Sequence, residues 1–178
     1  MSDAGLLLQQ TIVQRGARTT EGHIVEAVTL PWFDIVAAMQ KDPELPYNLP
    51  WERLEELVAG AYKRAGFEDV TLTPRNNDRG RDVIAKKYGL GTIRVIESVK
   101  RYGRDKPVRL DDVRALLGVL EADGASKAFL TTTSDFAPGV KRDPLLKPFL
   151  GPRLELVNGG QLLTRVVELA TKRDERKD

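Results

Sequence analysis

The stretch from Asp82 to Lys100 leaves this chain the least freedom of fold. Residues 82–88 (DVIAKKY) and Thr92–Lys100 (TIRVIESVK) are rich in β-branched side chains, and only Gly89, Leu90 and Gly91 separate them. Two such runs joined by so short a glycine turn read as an antiparallel hairpin. A lone hairpin is marginal in water, so further strands or a covering helix must complete it.

The flanking sequence supplies both. Leu54, Leu57, Val58, Ala61, Tyr62 and Ala65 recur at helical spacing before Gly66, which marks an amphipathic helix over about 51–65. Residues 67–73 read as a strand and 74–80 as a polar turn. Beyond the hairpin, Leu110, Val113, Leu116, Leu117 and Leu120 mark a helix over about 109–123. Strands at 127–133 and 153–157 and a final helix at 161–172 follow, with Ser134 or Asp135 placed to cap a short turn. The expected class is α/β: a mixed central β-sheet flanked by helices.

The segment before residue 48 reads as a small N-terminal appendage. Apolar stretches at 6–13 and 24–29 flank a polar, glycine-containing connector at 15–22, which suggests two short strands. Pro31 suits the first turn of a helix over about 32–40, and the three prolines of residues 42–50 suggest a linker. The expected organisation is an appendage at 1–47, a main domain at 48–172 and a charged tail at 173–178.

Composition narrows the chemistry. The chain has no cysteine, which excludes disulfides and cysteine-held zinc, and His23 is its single histidine. Any bound metal must take its ligands mainly from carboxylates, which points to Mg²⁺ or Mn²⁺. No apolar run approaches the roughly 20 residues that span a bilayer, and the start lacks a basic n-region, so a cytoplasmic chain without membrane association is expected.

Net charge is +2, yet residues 75–109 hold eleven Lys/Arg against four Asp/Glu, a balance of +7, so the remainder sums to −5. Most charge runs are solvated surface. This one is interleaved with strand residues and turn glycines, and a basic surface fixed to a sheet suits a phosphate backbone.

Within this region Asp82 opens one strand and Lys100 closes the next. Counting from Leu90 gives eight residues to Asp82 and ten to Lys100, so the hairpin brings them close at its open end. A surface ion pair would account for the same spacing. Glu55 lies at the edge of the apolar arc of the preceding helix, the acid there best placed to face the sheet, although an ordinary flank glutamate fits as well.

Four motifs in order, LEELVAGAYKRAGF, RGRDVIAKK, RVIESVKRY and ASKAFLTTTSDFAPG, resemble the catalytic core of the Mrr-like restriction endonucleases, type IV-like members of the PD-(D/E)XK nuclease superfamily. The resemblance covers roughly residues 51–140. It implies a restriction-endonuclease-like core and a catalytic set of Glu55, Asp82 and Lys100. Two residues before its lysine the family carries Gln or an acid; here the residue is Ser98, with Glu97 beside it. Side chains alternate along a strand, so Ser98 shares a face with Lys100 and Glu97 points away. Either Ser98 is a hydroxyl ligand, or a bulge turns Glu97 inward, or metal binding is impaired.

Phosphodiester hydrolysis explains these residue types. Asp82, Glu97 and the Val99 carbonyl are the candidate ligands for Mg²⁺ (or Mn²⁺), which would acidify water and offset phosphate charge. Lys100 can orient that water. Arg79, Arg81, Arg101, Arg104 and Lys106 lie near the hairpin ends and can hold duplex DNA by its phosphates. Trp32 and Trp51 read as packing aromatics and Thr131–133 as ordinary strand residues. The implied activity is metal-dependent cleavage of double-stranded DNA, in restriction of foreign or modified DNA; two cuts across a duplex would suit a homodimer. The alternatives are a DNA-binding domain on the nuclease fold that does not cleave, and a resolvase-like enzyme on branched DNA.

Overall fold

A computed structural model describes residues 9–77 and 79–172; the expected charged tail, Asp78 and Leu6–Leu8 lie outside the described residues. The elements run β1 (Val13–Arg18), β2 (His23–Val28), α1 (Leu30–Lys41), α2 (Leu45–Asn48), α3 (Trp51–Arg64), β3 (Asp69–Leu72), β4 (Val83–Tyr88), β5 (Thr92–Lys100), α4 (Leu110–Asp123), β6 (Lys127–Thr132), β7 (Leu154–Val157) and α5 (Gly159–Thr171). Single 3-10 turns occupy Arg75–Asn77 and Val140–Arg142. Seven strands form one mixed sheet in chain order. β1 to β5 pair antiparallel, and β6 and β7 join in parallel. α4 makes the crossover that the parallel β5–β6 pair requires.

Strand alternation sorts the apolar residues into two layers. Val83, Ala85 and Val95 face one way, into a core with Leu54, Leu57 and Val58 of α3 and Leu162 and Val166 of α5. Ile84 and Ile96 face the other, against Val113, Leu116 and Leu120 of α4. Both hairpin strands are therefore buried on both faces, and the register is fixed: Val83 pairs with Glu97 and Tyr88 with Thr92.

The N-terminal segment extends this sheet rather than standing beside it. β2 pairs with β3, and Ile12, Val13, Val25, Trp32, Ile35 and Met39 share the core of α3. The indole N–H of Trp32 donates to the Leu57 carbonyl at 3.0 Å, and Gly60 leaves room for that ring, since a Cβ there would fall 2.3 Å from the indole nitrogen. Two expectations are corrected. The first strand runs over Val13–Arg18, through part of the supposed connector, because it is a sheet-edge strand whose mostly uncovered side chains are polar. The proline-rich stretch is no loose linker: it holds α2, with Leu45, Pro46 and Leu49 buried. Among the described residues no helix is long and apolar enough to cross a membrane.

Candidate active site

The open end of the β4–β5 hairpin forms one wall of a pocket of about 290 Å³, lined by Trp51, Glu55, Arg75, Asp82, Val99, Lys100, Arg101 and Tyr102. Each side chain arrives from a different constraint. Trp51 and Glu55 stand on the first turns of α3, Arg75 on the 3-10 turn after β3, and Val99 and Lys100 at the end of β5.

Asp82 sits where regular pairing breaks. In a regular strand a residue's N–H and C=O point to the same neighbour. Here the Asp82 N–H donates to the Glu97 carbonyl at 2.8 Å while its C=O accepts from the Thr73 N–H at 3.0 Å, on the opposite strand. The backbone is turned, and the carboxylate reaches across to accept the Val99 N–H at 2.6 Å. The loop leading in carries two left-handed residues, Arg79 (φ 50°) and Gly80 (φ 79°). Arg79 is the one non-glycine with positive φ among the described residues, a conformation that costs energy and concentrates at functional loops.

Threonines at the end of β6 and just after it hold the far side of β5. Thr132 Oγ1 donates to the Lys100 carbonyl at 2.9 Å. Thr133 Oγ1 accepts from the Tyr102 N–H at 2.9 Å and donates to its carbonyl at 2.7 Å. Thr131 Oγ1 donates to Glu97 Oε1 at 2.5 Å. All three are buried. They fix the strand that carries Lys100, a role that a Thr-Thr-Thr run does not announce.

The structure thus brings Glu55, Asp82, Val99, Lys100 and Arg101 to one pocket, and leaves Glu97 and Ser98 off its lining. Glu97 is fully buried on the other side of β5, where it accepts from Tyr62 Oη at 2.7 Å and from both terminal nitrogens of Arg165, at 3.0 and 2.9 Å. Strand alternation is intact there, and no bulge turns Glu97 towards Lys100. Burial, with Glu97 adding to it, pushes the Tyr62 hydroxyl pKa up. Burial opposes the Arg165 charge, yet Glu97 and Tyr62 outweigh it and hold the guanidinium above its ordinary value. Ser98 is buried, 3% exposed.

The five expected phosphate contacts also divide. Arg101 lines the pocket and donates to the Tyr47 carbonyl at 3.0 Å. Arg104 pairs with Glu44 and lies over the Tyr47 ring, and Lys106 lies over Tyr102. Arg79 is exposed on its loop. Arg81 points elsewhere: 12% exposed, it pairs with Asp123 on α4 and lies 3.7 Å from Glu21. Arg94 joins the same cluster, 2.6 Å from each of those acids. Trp51, read from the sequence as a packing residue, proves to line the pocket.

Among the described residues no group of three or more His, Cys, Asp or Glu side chains is arranged to hold a metal. The pocket offers two carboxylates and a main-chain carbonyl, all hard oxygen donors. This set does not fit zinc. It fits Mg²⁺, which is commonly bound by one or two carboxylates while keeping several waters and taking phosphate oxygens from substrate.

Comparison with known proteins bears on the fold and the family. The fold is similar to that of MspJI restriction endonuclease, solved in complex with a 27-mer oligonucleotide, at 17% identity and a TM-score of 0.53 over 81% of this chain and 33% of that one. The DNA modification-dependent restriction endonuclease AspBHI aligns at 18% identity and a TM-score of 0.46, over 82% of this chain and 38% of that one. This chain therefore spans about a third of the length of the solved structures it matches. No curated protein sequence matches it. Residues 46–166 match the family Mrr_cat, restriction endonuclease. With the family match across most of its length, the chain belongs to the Mrr_cat restriction endonuclease family.

Proposed function

We propose that this chain is a metal-dependent endonuclease that hydrolyses phosphodiester bonds in double-stranded DNA, serving restriction of foreign or modified DNA. The observation that carries the reading is the convergence of Glu55, Asp82 and Lys100 on one pocket, with Asp82 locked to Val99 beside Lys100. Family membership supports the reaction class. MspJI, which shares the fold, was solved with a 27-mer oligonucleotide bound, and that supports a nucleic-acid substrate.

Asp82 and Glu55 would hold a Mg²⁺ or Mn²⁺ ion. The Val99 carbonyl faces the same strand edge as its N–H and is the third oxygen donor. When bound, the cation lowers the pKa of water and offsets phosphate charge. Lys100 orients the attacking water by donating to it and stabilises negative charge growing on the phosphate oxygens. Arg101 grips the phosphate from the pocket wall, a contact that sets register without reading sequence. Glu97 and Ser98 are left out of the ligand set.

The two-carboxylate donor set keeps one second reading in view, a DNA-binding domain that does not cleave. The test is incubation of the purified chain with supercoiled plasmid and with a four-way junction, with Mg²⁺, Mn²⁺ or a chelator. Nicking of plasmid only when metal is present is expected. Binding without nicking under every metal condition favours the second reading, and cleavage confined to the junction favours a resolvase-like activity.

A further inference from the structure

Two of the rings lining the pocket carry a cation on their face. The guanidinium carbon of Arg75 stands 4.3 Å from the centre of the Trp51 ring, and Lys106 Nζ stands 4.6 Å from that of Tyr102. Both cations belong to exposed residues, and both rings belong to the wall that also presents Asp82 and Lys100. Trp51 is on α3, one turn before Glu55, so its ring is anchored to a rigid element. A long exposed cation ordinarily loses rotamer freedom when it grips a ligand, which weakens the grip. A ring beneath it removes part of that freedom beforehand, through cation–π attraction.

Positive charge held ready beside a carboxylate pocket suits a polyanion that must lie in one orientation. A cation on each ring leaves one face fewer for base stacking. On the endonuclease reading above, we infer that Arg75 and Lys106 are phosphate-positioning residues, preset by Trp51 and Tyr102. They hold the sugar–phosphate backbone of the bound strand so that one phosphodiester lies over Asp82 and Lys100. The grip is on phosphate alone and is therefore indifferent to base sequence.

The experiment measures duplex binding in an Asp82→Ala background, at a series of salt concentrations, with thermal stability followed in parallel. Each phosphate contact contributes about 0.9 to the slope of log affinity against log salt. Arg75→Ala and Lys106→Ala should each flatten the slope by about that amount and weaken binding to unrelated sequences alike. Trp51→Ala should weaken binding although Arg75 remains, and Trp51→Phe, which keeps a ring, should restore most of it. A role confined to packing would shift stability and leave the slope unchanged. An unaltered slope in both cation variants, with plasmid cleavage by the unmodified chain intact, overturns this inference alone. Failure of the unmodified chain to cleave overturns the endonuclease reading, while the slope measurement still decides whether these cations bind phosphate.

Discussion

The Asp82 carboxylate and the Val99 N–H are joined by a 2.6 Å hydrogen bond, so the acid before β4 and the lysine that follows Val99 on β5 are positioned as one unit. This bond bears on how the two residues should respond to mutation.

Asp82→Ala should abolish cleavage and metal dependence together while DNA binding persists, because metal activation acts on the transition state rather than on docking. Lys100→Ala should keep metal binding and lose about 10²–10³-fold or more in turnover. Cleavage kinetics with binding measured alongside decide the matter, and full activity in Asp82→Ala would sink the assignment.

Glu97 should act through stability. Glu97→Ala leaves the Arg165 guanidinium buried without its carboxylate, a change that costs about 3–5 kcal/mol. Ser98→Gln forces a larger side chain into a buried position, at about 1–3 kcal/mol. Denaturant unfolding measures both. Unchanged stability in Glu97→Ala with lost metal dependence would return Glu97 to the ligand set.

Arg81 should separate from the other cations of its region. Arg81→Ala breaks its pairing with Asp123 and Glu21, and should lower stability while leaving the salt dependence of DNA binding as it was. Charge reversal at Arg101 and Arg104 should do the opposite, weakening binding to all sequences alike. Binding titrations and melting curves on the same preparations distinguish the two classes.

The Glu21 cluster gives a pH signature. The hydrogen bond from Arg94, helped by Lys86 against the cost of burial, lowers the Glu21 carboxyl from 4.5 to about 2. Because the folded value lies below the unfolded one, its stabilisation is complete above pH 4.5 and is lost as pH falls towards 2. The stability difference between the unmodified chain and Glu21→Gln should therefore be largest near neutrality and close across that acidic window. Urea midpoints at stepped pH test it; a constant difference would show that the ion pair contributes nothing titratable.

What was legible in the sequence was local. The hairpin from residue 82 to Lys100 is marked by β-branched runs and two glycines, and β5 begins and ends where those marks place it. Period-two alternation also places Ser98 on Lys100's side of the strand and Glu97 on the other. What the sequence hid depends on partners far along the chain. Arg81 reads as one more cation in a basic run until Glu21 and Asp123 are folded against it. Glu56 reads as a solvent-facing helix residue, yet it is fully buried, since β1 closes over α3. No periodicity within α3 could reveal a strand that arrives from some forty residues upstream.

That closure over Glu56 carries a consequence for handling the protein. Its carboxylate accepts the Ile12 N–H at 3.2 Å and Arg15 at 3.0 Å, with Arg53 at 2.5 Å on the same helix. A fragment trimmed to residues 46–166 would lose Ile12 and Arg15 and would strip β2 from β3. The exposed rim of β3 would then offer unsatisfied peptide groups to any extended chain that met it, next to a half-neutralised acid in an opened apolar bed. Such a fragment should precipitate or self-associate rather than behave as a smaller enzyme.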